Sequence, residues 1–202
     1  MLSLVVAVAS TFTAPLVDEK PLFSLEDVPA NELKLGVVHR VGAAILVRPD
    51  GKARKCWTYR RSGNRALDAY TCRLIMQRAR FRPATGPNDA PMYGIHRLST
   101  HWVVAEKAFP IPPSGDLQLD VKSLPRGISS PAIANIMFMV DAGGRASNCT
   151  AHPTNKYAEL AVVACHYTGQ ISAIVAKDDR GRPVPSVQNA TMVFVAKPQP
   201  GK

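Results

Sequence analysis

The sequence predicts an α+β protein made of two tandem small domains. Each is a three-stranded antiparallel sheet with one helix packed on it, in the order β-β-α-β. Three observations lead there. The stretch Gly51–Ala84 changes from strand periodicity to helical periodicity across a short polar loop. The chain repeats itself: the shift that lays Cys56 on Cys149 also lays Val47 on Val140, Gly51 on Gly144, Ala53 on Ala146, Leu67 on Leu160, Cys72 on Cys165 and Gln77 on Gln170. The four cysteines thus fall into two identically spaced pairs.

Taken in order, Leu2–Ala14 is apolar, small and uncharged, with Ala7-Val8-Ala9 and Thr11-Phe12-Thr13-Ala14 as cleavage-like sites. Residues 1–16 therefore read as a signal peptide or an atypical export segment, since no basic residue precedes Leu2. A buried first strand is the alternative. The first domain is expected over 17–106. It opens with a mixed lead-in that turns near Pro29, then a central strand at Val38–Val47 and a turn at Pro49-Asp50-Gly51. In the next strand Ala53, Lys55, Trp57 and Tyr59 alternate with Arg54, Cys56, Thr58 and Arg60. Ser62-Gly63-Asn64 ends it, with Asn64 capping a helix from about Arg65 to Arg80. A helix folded back over its preceding strand sets Cys72 above Cys56, so a disulfide is expected, and the repeat extends this to Cys149 with Cys165. Pro83 ends helical geometry, and a third strand follows at about Ile95–Val104.

Residues 107–123, within a proline-bearing stretch, read as a linker. A second, diverged domain is expected over 124–198, with strands at Ala134–Val140 and Val187–Val195. A one-residue gap continues the match there, placing Pro91 over Pro183 and Ile95 over Val187.

Two domains of this size bury limited apolar surface, so a covalent staple in each is useful. Paired cysteines imply an oxidising compartment. The net charge is +10 over 202 residues and is concentrated: eleven Arg and Lys stand between Arg48 and Arg82 against two Asp. Arg54, Arg60, Arg61, Arg65, Arg73 and Arg80 form the expected basic patch, which would attract polyanions or simply keep the surface solvated. No nucleophile elbow, phosphate-cradling glycine loop or His-Glu-x-x-His motif occurs, so no catalytic residue is assigned and a non-enzymatic role is expected. Cys149-x-x-His152 with Cys165-His166 carries zinc-type ligands, but the matching copy-one positions are Tyr59 and Arg73. No metal, other cofactor or small-molecule substrate is therefore expected. Trp57 and Tyr59 beside Arg60 and Arg61 could stack on single-stranded nucleic acid. Export argues for envelope partners and against nucleic acid.

Residues Leu25–Val104 resemble the C-terminal domain of TonB-family energy transducers, in cysteine-bearing form. The resemblance rests on the Pro49-Asp50-Gly51 turn, Cys56, the Ser62-Gly63 loop, Leu67-Asp68, Thr71-Cys72, the exit Arg78-Ala79-Arg80-Phe81-Arg82-Pro83-Ala84, the Pro91 loop and a last strand ending past Trp102. Copy two keeps the turn, both cysteines, Leu160 and the final strand. It has Asn155-Lys156 in place of the Ser-Gly loop and Ala161 in place of the Asp.

The resemblance implies a periplasmic protein-interaction module linked to TonB-dependent transport across the outer membrane, with membrane association left open. Its last strand would add edge to edge to a segment of an outer-membrane receptor or another envelope protein. The expected contact residues are Ile95, Arg97, Leu98, Thr100 and Trp102. A structural or anionic-polymer-binding envelope role is the alternative. Copy one, with its fuller motif set, is expected to fold alone and to carry any partner contact. A tandem chain has a further option, in which Ile95–Val104 and Val187–Val195 pair with each other in a compact monomer.

Overall fold

Each half opens on a hairpin whose turn chemistry is plain in the sequence. In the computed structural model, which describes residues 12–17, 21–30, 33–107 and 110–197, Arg48 N–H donates to the Lys52 carbonyl at 3.0 Å and Gly51 N–H to the Arg48 carbonyl at 2.9 Å. Gly51 has φ +80, and a Cβ there would stand 2.6 Å from the Phe81 carbonyl oxygen. Conformation and space both require glycine. The second copy repeats the turn, with the Asp141 carboxylate accepting from the N–H groups of Gly143 and Arg145 at 2.9 and 2.8 Å.

The elements of the first half are β1 (Leu16–Val17), β2 (His39–Val47), β3 (Ala53–Arg60), α1 (Arg65–Arg78), β4 (Phe81–Arg82), β5 (Ala84–Thr85) and β6 (Pro91–Trp102). Then come β7 (Leu117–Val121), β8 (Ala132–Val140), β9 (Ala146–Ala151), α2 (Ala158–His166), β10 (Ala176–Lys177), β11 (Pro183–Val184) and β12 (Ser186–Ala196). Asn64 caps α1 as expected, accepting from Leu67 N–H at 3.1 Å. The Asp68 carboxylate reaches back to Ser62 N–H at 2.9 Å, so loop and helix start are locked together.

The expected fold class is corrected at the middle of the sheet. The chain forms one eight-stranded mixed sheet, with the path β3-β2-β6-β12-β8-β9, β5 on β6 and β7 on β12. It does not form two separate three-stranded sheets. The join is a parallel ladder between β6 and β12, pairing Tyr93 with Ser186, Gly94 with Val187 and Ile95 with Gln188. Ser186 and Gln188 are buried at the join, and so are the apolar side chains of Ile95 and Val187. Burying each such side chain contributes about 1.5–3 kcal/mol, which two separate domains would forfeit.

The registers also fix where the helices lie, because laterally paired residues point to the same face. On β2, Val41, Ala43, Ile45 and Val47 meet Leu67, Leu74 and Ile75 of α1. Val47 pairs with Gly94, and Gly94 with Val187, so Val187 faces the α1 side. Ala190, Met192 and Phe194 have the opposite parity and pack on Leu160, Ala161 and Ala164 of α2. The two helices cover opposite faces of one sheet.

The face that each helix leaves bare is closed by the other half. Ala44, Leu46 and Ile95 pack on Ala176, with Ile174 and Val184 beside it. Met137 and Val187 pack on Phe12, Ala14 and Ala84. A fragment of copy one would lose its share of this cover, so the expectation that it folds alone loses its physical basis. Most of the expected export segment, residues 1–11, lies outside the described residues. Phe12 and Ala14 belong to this core.

Residues 107–123, read as a linker, contribute β7, which runs parallel to β12 from Met192–Leu117 to Ala196–Val121. The β12 strand therefore changes neighbours part-way along its length, from β6 to β7. Asn189 makes the change possible: its side chain accepts from Arg97 N–H at 2.7 Å and donates to the Arg97 carbonyl at 2.9 Å. The amide takes over the main-chain bonding where the strands part.

An N-terminal tether gives a pH test. Arg78 donates through both terminal nitrogens to Asp27, at 2.5 and 2.7 Å, binding the short 3-10 turn Leu25–Asp27 to α1. The Arg78 hydrogen bond, with Ser24 N–H adding to it, holds the Asp27 carboxyl well below the usual carboxylate range. A depressed carboxyl contributes stability that is full above its unfolded pKa of about 4 and is lost as pH falls through the folded value. Asp27→Asn is accordingly expected to flatten the acid limb of a Tm-versus-pH curve below about pH 4. An unchanged acid limb would contradict the tether.

Candidate functional site

Both expected disulfides are present, Cys56–Cys72 and Cys149–Cys165, with Cα atoms 5.6 and 5.5 Å apart. Each ties an outer strand, β3 or β9, to the helix above it. They also occupy the two cysteines that a zinc site would need. No helix among the described residues is long and apolar enough to cross a membrane.

Of the residues expected on a partner-binding edge, Ile95 lies inside the sheet with a strand on each side. Leu98, Thr100 and Trp102 lie past the three-residue β6–β12 ladder and pair with β2 alone among the described strands. Ile95 is in the β6–β12 ladder, and Leu98 and Thr100 pair with Ala43 and Val41 of β2. Trp102 is buried and donates through Nε1 to Thr71 Oγ1 at 2.9 Å. Arg97 is the surprise. Its guanidinium is 4% exposed and pairs with Asp116, equally buried, at 3.2 Å. It also donates to the Ser172 carbonyl at 2.5 Å and stands 5.4 Å over the Tyr59 ring, while Nε has no partner among the described residues.

Asp116 in turn accepts from Thr191 N–H at 2.8 Å. This polar knot fills the fork where β6 and β12 diverge, joining copy one, the connecting segment and copy two. Burial, then the Asp116 charge, pushes the Tyr59 hydroxyl well above its ordinary range, so Tyr59 stays neutral. Tyr59 and Trp57 pack at this seam beside Ile174 and Val184, which accounts for their apolar bulk without a nucleic-acid base.

The basic patch divides by use. Arg54 pairs with Asp179 of copy two at 3.0 Å, and Arg60 donates to the Gly115 carbonyl at 2.6 Å. Arg80 bonds the carbonyls of Gln77 and Ala79 at the end of α1, and Arg73 lies 5.0 Å over Tyr70. Arg61 and Arg65 are exposed and make no ion pair among the described residues. They line a groove of about 440 Å³ between β3 and α1, with Cys56, Trp57, Thr58, Asp68, Ala69 and Cys72.

Copy two has the same groove, about 370 Å³, between β9 and α2. There the repeat puts Ala158 at the position of Arg65 and Thr154 at that of Arg61. Arg54, Arg60, Arg73 and Arg80 likewise correspond to Ser147, Pro153, His166 and Ala173. The scaffold forms without these charges. No family model, curated protein or solved structure matches the chain.

Proposed function

We propose that the protein is a non-enzymatic protein-interaction module of the periplasm, TonB C-terminal-like in each half and linked to TonB-dependent transport. The disulfides suit an oxidising compartment, and the hairpin, helix and strand order of each half suits the resemblance. The observation that carries the reading is the pair of outer strands. Among the described residues nothing pairs the far side of β3 or β9, and each runs beside a helix-walled groove. Such an edge is where an extended segment adds to a sheet. Of the strands that single-copy relatives would present, Tyr93–Ile95 and Ser186–Gln188 pair with each other and β7 covers Met192–Ala196, so partner contact is assigned to these outer edges. Titrating the full chain with soluble periplasmic segments of TonB-dependent receptors tests this. Saturable binding is expected, and none across a receptor panel would contradict it.

One observation favours a second reading, anionic-polymer binding: Arg61 and Arg65 are exposed, make no ion pair among the described residues, and have Thr154 and Ala158 at the equivalent positions of copy two. That reading predicts binding to lipopolysaccharide or cell-wall polymer that weakens steeply with salt.

A further inference from the structure

Resting on the protein-interaction reading, we infer that the groove between β3 and α1 receives an extended acidic peptide segment. The segment adds as a strand to the outer edge of β3, with its carboxylates against Arg61 and Arg65. Four observations converge on it. The β3 edge is open, and its pairing with β2 is regular from Lys55 to Thr58, between two register shifts. Over that four-residue run the edge offers backbone donors and acceptors at regular spacing.

The groove lies at the N-terminal end of α1, where the helix dipole favours negative charge. Arg61 and Arg65 stand there without an ion pair among the described residues. Asp68 also lines the groove, but it is buried and its carboxylate is already bonded to Ser62 N–H. Finally, the arginines are not a requirement of the fold, since the equivalent positions are Thr154 and Ala158.

The same comparison removes the other groove. The β8–β9 ladder slips between Met137 and Met139, as β2–β3 does at its two shifts, but the walls of this groove carry no arginine. A second copy of this chain is a poor occupant of the β3 edge, because two strands that each carry Arg54, Lys55 and Arg60 would bring like charges together. An anionic polymer would satisfy the arginines but leave the edge backbone unpaired.

The test uses the full chain and fluorescein-labelled decapeptides in an anisotropy titration. One peptide alternates Glu with Val; a second carries Gln for Glu; a third is the Glu peptide N-methylated at alternate residues. Arg61→Thr with Arg65→Ala installs the residues copy two already tolerates, so folding is preserved. Saturable binding of the Glu peptide is expected, weakened about tenfold by the double variant, by the Gln peptide and by N-methylation. Arg145→Ala, in the copy-two turn, should leave it unchanged.

No binding, or unchanged binding by the double variant, overturns the site. Equal binding of the N-methylated peptide and of polyphosphate overturns strand addition and leaves a charge-only surface. Receptor segments run in parallel separate the two readings. If the double variant still binds them, the function stands and this groove is not its site.

Discussion

Asp116→Ala is expected to destabilise the protein by about 3–5 kcal/mol, because it leaves the Arg97 guanidinium buried without its counter-charge. The pair is 4% exposed on each side, so water cannot replace the lost carboxylate. The Thr191 N–H loses its acceptor as well. Arg97→Met should cost a similar amount by stranding the carboxylate. Arg97→Met with Asp116→Leu removes both charges and should lie well below the sum of the singles, since apolar pairs of similar volume often substitute for buried ion pairs. Urea unfolding of the three variants measures this. Additive losses would mean that the two groups do not interact. The pair also joins the connecting segment to the seam, so the single variants should lower the apparent urea m-value if the halves loosen before unfolding.

Removing either disulfide is expected to cost about 2–5 kcal/mol, with the second the more damaging locally. α1 runs 14 residues and starts on the Asn64 cap, whereas α2 runs 9 and its first turn follows Tyr157 with no side-chain cap. Helices that short are marginal without tertiary support. In α2, Leu160, Ala161 and Ala164 supply the packing, and Cys165 supplies the covalent tie to β9. Cys149→Ala with Cys165→Ala should therefore raise amide exchange through α2 more than Cys56→Ala with Cys72→Ala raises it through α1. Equal protection of the two helices after reduction would contradict that ranking.

Local structure was legible because local rules decide it. The alternation around Cys56, the Gly51 turn and the Asn64 cap each depend on neighbours within a few residues. The disulfide pairing was legible because the repeat restricts it. The joining of the halves was only half legible. Apolar content marked Ile95–Val104 and Val187–Val195 as strands needing cover, but parallel pairing leaves no turn between the partners to announce it.

Arg97 was read as an edge contact because nothing near it in sequence signals a buried counter-ion. Its partner, Asp116, sits in a stretch whose prolines read as a joining segment. β7 escaped notice for the same reason, since Leu117–Val121 is short and alternates on one side only. Of the site, the arginines were legible as a patch. Only the tertiary partners of Arg54, Arg60, Arg73 and Arg80 set Arg61 and Arg65 apart.

The two copies share one sheet through β6 and β12. Along each strand, alternate amides face the neighbour on one side and then the other. If Tyr93–Ile95 and Ser186–Gln188 pair, every amide in both triplets is protected, including those that β2 and β8 cannot reach. Hydrogen exchange resolved by residue is therefore expected to show uniformly slow amides across both triplets. Fast exchange of alternate amides, in both strands at once, would show that the copies stand apart and would contradict the account.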